Sequence, residues 1–124
     1  MVNRSKQKGD RVEREIVAKM QDMNIKSERM PLSGALSCLD GKLKGDIDIY
    51  LFGAAKPPLK CEVKARKNGN GFAVIDGWLG NNDLLFLKKD RNKPMVVLSW
   101  DTWAQLCNII TIEQETTSKD TDNE

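Results

Sequence analysis

Histidine is absent from the 124 residues of this chain. Its absence removes Ser–His and Cys–His nucleophiles at once. The bases left to the protein are carboxylates, lysines or a water acidified by a metal ion. Cysteine is scarce as well: Cys38, Cys61 and Cys107 lie far apart, with no CxxC pair among them. Three scattered thiols without a histidine argue against a structural zinc site and fit a reducing compartment. No apolar run approaches the roughly 18 residues of a membrane span. The basic start, MVNRSKQKGD, is followed by no apolar stretch of the kind a secretory signal needs. The expected location is the cytoplasm, with no membrane partner.

What the chain does have is charge. Hydrophobic residues make up 40% and charged residues 31%, enough apolar content for one modest core. The whole chain carries +2, but the last twelve residues hold five acids and one lysine, leaving the rest at +6. A basic body is drawn to polyanions such as nucleic acid. The expected organisation is one domain over residues 1–112, with 1–8 as a mobile basic arm and 113–124 as an acidic, disordered tail.

Along the chain, Asp10 suits a helix N-cap with Glu13 as its capping-box partner. Val12, Ile16, Val17, Met20 and Met23 then fall within an arc of roughly 140° at about 100° per residue, which predicts an amphipathic helix ending near Asn24. A weak strand is expected around 28–32. "DIDIYLF" (46–52) alternates Ile47, Ile49 and Leu51 against Asp46, Asp48 and Tyr50. "LKCEVKAR" (59–66) alternates in the same way. The six residues "GAAKPP" between them suit an antiparallel connection. A helix over 82–90, a buried strand over 93–100 and a last helix over 101–110 complete the order. The fold class is α/β: a single-domain mixed β-sheet flanked by helices.

Two placements carry chemistry. Glu13 lands near 100°, inside the apolar arc, whereas Arg14 and Glu15 lie outside it. A carboxylate aimed inward costs several kcal/mol unless something compensates it. On the paired strands, Asp46 and Asp48 share one face, as do Lys60, Glu62 and Lys64. Facing strands bring such residues to roughly 5 Å. Clustered carboxylates suit a hard divalent cation, magnesium with manganese as its substitute. Acids that hold metal, beside a lysine that stabilises charge on phosphate, suit phosphodiester hydrolysis. The bland alternatives are a capping-box Glu13 and a solvated sheet face with acid–lysine pairs.

The pieces "KGDRVEREIV" (8–17), "RMPLSGA" (29–35), "KGDIDIYL" (44–51) and "CEVKARKNG" (61–69) resemble, in order and spacing, the PD-(D/E)xK nuclease superfamily. Within it they resemble the archaeal-type Holliday junction resolvases and their phage relatives. The resemblance implies a restriction-endonuclease-like core, and a magnesium-dependent homodimer that nicks branched DNA in recombination. It implies catalytic roles for Glu13, Asp46, Glu62, Lys64 and Ser33, with metal held by Glu13, Glu62 and either Asp46 or Asp48. Asp46 aligns better with the motif, although Gly45 stands where the superfamily has proline. Arg14 would contact DNA, and Lys8, Arg11, Arg29, Arg66, Lys67, Lys88, Lys89, Arg91 and Lys93 are candidate phosphate contacts. A related endonuclease acting on duplex, fork or single-stranded DNA is the alternative, as is a DNA-binding module that has lost its chemistry.

Overall fold

The structure is a computed structural model that describes residues 4–30 and 46–122, with side chains described for 9–30 and 46–116. The chain gathers into two compact units, one of Met1–Ala65 with Ile110–Glu124, the other of Arg66–Ile109. Its class is α/β.

In the first unit, helix α1 (Arg4–Asp22) leads to strands β1 (Ser27–Arg29), β2 (Ile47–Ile49) and β3 (Leu59–Cys61). These form one antiparallel sheet with β2 in the middle. α1 packs against β1 and β2. Met20, Ile25, Ile47, Ile49 and Leu51 are buried in this unit. Burying a side chain of this size contributes roughly 1.5–3 kcal/mol. The helix begins earlier than the capping pattern predicts. Asp10 therefore sits inside α1, and its carboxylate bonds Arg29 rather than capping a backbone amide.

The end of α1 is set by Asn24, which takes the left-handed conformation at φ 62°. The Ile25 amide donates to the Met20 carbonyl at 3.1 Å and the Asn24 amide to the Gln21 carbonyl at 2.9 Å. This pair of bonds is a Schellman motif, and the Met20 and Ile25 side chains that flank it are both buried. Asparagine tolerates that backbone far better than a residue with a bare Cβ. Asn24→Ala is expected to cost about 1 kcal/mol and Asn24→Gly to be neutral or better, read from urea-melt midpoints.

The second unit holds helix α2 (Ala73–Leu79), the antiparallel hairpin of β4 (Leu84–Leu87) and β5 (Met95–Leu98), and the start of helix α3 (Trp100–Asp122). Two expectations are corrected here. The helix placed at 82–90 is a strand: the run Leu84–Leu87 is only four residues long and alternates between exposed and half-buried. A short apolar run bounded by turns favours a strand over a helix. Nor is the strand in 93–100 buried, since Met95 and Val96 are exposed. The described strands thus form two separate antiparallel sheets instead of one mixed sheet, each built from strands adjacent in the chain.

Ser99 caps α3. Its Oγ accepts the Thr102 amide at 3.3 Å and lies 2.8 Å from the Thr102 hydroxyl. The helix then runs past residue 110 to Asp122, so the boundary expected at 112 falls within it. Cys107, Ile110, Thr111 and Gln114 recur at helical spacing as its less exposed side chains. Gln114 Nε2 donates to the Leu51 carbonyl at 2.7 Å, which fastens this stretch within the first unit. Among the described residues no helix is long and apolar enough to cross a membrane.

Candidate active site

Asp46 opens β2, and three of its groups are engaged. Its amide donates to the Cys61 carbonyl at 2.7 Å, and its carbonyl accepts the Met30 amide at 3.0 Å. Its Oδ2 accepts the Val63 amide at 2.7 Å. The side chain thereby takes the place of a backbone acceptor, and the β2–β3 ladder stops at Cys61. The bonded residues, Cys61 and Val63, are the two neighbours of Glu62. Asp46 therefore brackets Glu62 without any bond between the two side chains. One position past Val63, Lys64 Nζ stands 3.1 Å from Glu62 Oε1, with both side chains more than half exposed. Asp46 is thus tied to the backbone on either side of Glu62, and Lys64 pairs with Glu62 at the end of the sheet.

Glu13 reaches the same end through Arg29. The rung Arg29–Ile47–Cys61 is the last of the three-stranded sheet. Arg29 Nε donates to Glu13 Oε2 at 3.0 Å and Arg29 Nη2 to Asp10 Oδ1 at 2.9 Å. Glu13 does face inward, with a side chain only 16% exposed. The group that compensates it is a guanidinium, which forms two charge-assisted bonds to one face of α1. Two of the three guanidinium nitrogens of Arg29, a candidate phosphate contact, are thus engaged by carboxylates.

Asp48 lies apart from this constellation. Both its oxygens accept from Lys60 Nζ, at 3.0 and 3.1 Å, and its side chain is 6% exposed. The register sets Lys60 opposite Asp48, and Glu28 opposite it on the other side. Tyr50 donates its hydroxyl to Glu28 at 3.4 Å, and Lys26 Nζ sits 4.6 Å from the Tyr50 ring centre. Burial pushes the pKa of the Cys61 thiol up, with the Asp48 charge adding to it, which favours the protonated form. The Lys60–Asp48 pair is an acid–lysine pair of the kind the sequence allowed across this face, with the register setting the two opposite each other, whereas the Arg29–Glu13 pair has no signal in the sequence.

Of the remaining candidates, Arg11, Arg14, Arg66 and Lys67 are exposed. Lys8 belongs to α1, but its side chain lies outside the described ones, and Ser33 lies outside the described residues.

The donors at the sheet end suit magnesium in kind, being carboxylate oxygens only. Among the described residues no three acidic or cysteine groups stand together at metal-binding range. The described residues therefore form no cage of three protein carboxylates. Magnesium does not require one, since it is commonly held by one or two carboxylates with water and substrate phosphate completing the shell. Asp46 and Glu62 are carboxylates tied to the same short stretch of backbone. No protein-family model, curated protein or solved structure matches the chain.

Proposed function

We propose that the protein is a magnesium-dependent endonuclease of the PD-(D/E)xK kind that nicks branched DNA, four-way junctions above all, and acts as a homodimer. The observation that carries the reading is the bracketing of Glu62 by Asp46, with the Lys64 ammonium 3.1 Å from the Glu62 carboxylate. Asp46 and Glu62 would hold the ion, and Asp46 is preferred to Asp48 because Lys60 occupies both oxygens of the latter. Bound magnesium supplies Lewis acidity at the phosphate and acidifies a water. Lys64, more than half exposed, offers a mobile positive charge to the phosphate oxygens as negative charge builds on them. Glu13 holds Arg29, and with it the end of β1 whose Met30 amide fixes Asp46. The absence of histidine is consistent with chemistry that relies on carboxylates and an acidified water.

The test is a cleavage assay on an immobile four-way junction, a fork and a linear duplex, each with magnesium and with chelator. The junction is expected to be nicked fastest, and only with magnesium. Equal rates on all three substrates would point to a nuclease of duplex, fork or single-stranded DNA. Junction binding without any cutting would leave a DNA-binding module.

A further inference from the structure

The loop that joins β4 to β5, residues 88–94, carries Lys88, Lys89, Arg91 and Lys93 against one acid, Asp90. All four cations are exposed, and among the described residues none forms an ion pair. The loop is held in shape by its own bonds. The Asn92 amide donates to the Lys89 carbonyl at 3.1 Å, Asn92 Nδ2 to the Asp90 carbonyl at 3.0 Å, and Lys88 Nζ to the Lys89 carbonyl at 3.1 Å. Arg91 sits at φ 64°, the left-handed residue that turns the chain. The charges are thus presented on a preformed turn, which reduces the ordering entropy lost when a ligand binds.

The strands that carry this turn are equally unusual. Phe86 pairs with Val96, and their side chains are 63% and 52% exposed. Leu84, two residues before Phe86 on the same face, is exposed too. A basic tip alone is an ordinary solvated turn. An uncompensated basic tip continuous with an open aromatic and aliphatic face matches single-stranded or branched nucleic acid, which offers phosphates and unstacked bases side by side. A folded acidic protein would answer the charge but not supply flat apolar faces between its charges.

We propose that the β4–β5 hairpin is a DNA-holding element: Lys89, Arg91 and Lys93 contact backbone phosphates, and Phe86 with Val96 receives bases unstacked at a branch or in a single strand. The inference rests on the DNA-directed half of the reading above and not on its chemistry. It assigns the second unit a task distinct from that of the acids in the first.

The experiment is a salt titration of binding in chelator, with an immobile four-way junction, a 20-nucleotide thymidine oligonucleotide and a linear duplex as probes. Each phosphate contact contributes about 0.9 to the slope of log affinity against log salt on duplex DNA and about 0.7 on a single strand. The triple variant Lys89→Gln/Arg91→Gln/Lys93→Gln is expected to reduce that slope by roughly 2.7 on the junction and the duplex and by about 2 on the oligonucleotide. Phe86→Ser, at a position too open to endanger the fold, is expected to weaken oligonucleotide binding by about fivefold or more while changing duplex binding little. An unchanged slope in the triple variant overturns the phosphate contacts, and equal losses on oligonucleotide and duplex in Phe86→Ser overturn the base contacts. Binding that responds as expected from a protein that never cuts with magnesium leaves the hairpin proposal standing and removes the nuclease. Cutting that persists with the slope unchanged does the reverse, and a wild-type chain that binds none of the probes removes both.

Discussion

Glu62→Ala is expected to lower magnesium-dependent nicking by about a thousandfold or more, equivalent to about 4 kcal/mol of barrier, while leaving junction binding in chelator intact. The size follows from what the side chain does and does not do. Its carboxylate is 53% exposed and its contact with Lys64 is an open surface ion pair, worth less than about 1 kcal/mol to the fold. Removing it should move the urea midpoint within the scatter of surface substitutions, about 0.5 kcal/mol. On the proposed mechanism the same change removes one of only two carboxylates that hold the ion, and leaves Lys64 without its partner. Single-turnover nicking of a labelled junction, beside an unfolding curve of the same preparation, separates the two effects. A cutting rate equal to that of the wild type would remove Glu62 from the chemistry and the PD-(D/E)xK assignment of the site with it.

The second large effect concerns stability. Lys60→Met should destabilise the first unit by about 2–3 kcal/mol, lowering its melting temperature by roughly 10 °C. Asp48 is almost wholly enclosed, and Lys60 is its partner on both oxygens. Taking away one member of such a pair strands a carboxylate in a poorly hydrated place. The figure is set toward the low end for buried pairs because the Lys60 side chain is 44% exposed, so water can reach the vacated position. The double variant Asp48→Asn/Lys60→Met should regain most of the loss, since a neutral amide carries far less solvation penalty than a bare charge. Thermal melts of both variants decide it. If Lys60→Met alone melts with the wild type, Asp48 is hydrated in solution and the pair contributes little.

These cases also mark what could be read from the residues alone. The apolar arc of α1 was legible because helical period is a one-dimensional signal, and Glu13 stood out as an acid inside that arc. Its partner was not legible: Arg29 lies sixteen residues away on a strand only three residues long. The alternation of 46–52 and 59–66 located β2 and β3 but overstated their lengths, since ladder length depends on which groups compete for each amide, and Asp46 wins the amide of Val63. Alternation also placed Asp48 on an open polar face, whereas the structure encloses it. Enclosure depends on neighbours that periodicity does not name. The first strand of the 84–98 hairpin was missed for a plainer reason. Four consecutive apolar residues carry no period, and the helix at 73–79 contains a glycine at 77 that conceals it.

The sharing of α3 between the two units has a consequence for biosynthesis. The first unit is assembled from two stretches of polypeptide with all of Arg66–Ile109 lying between them. As the chain leaves the ribosome from its N-terminus, the second unit has every one of its residues in hand while the first still awaits its closing helical segment and the Gln114 latch on Leu51. The end of the sheet that carries Asp46 and Glu62 therefore belongs to the part of the molecule that is last to be completed.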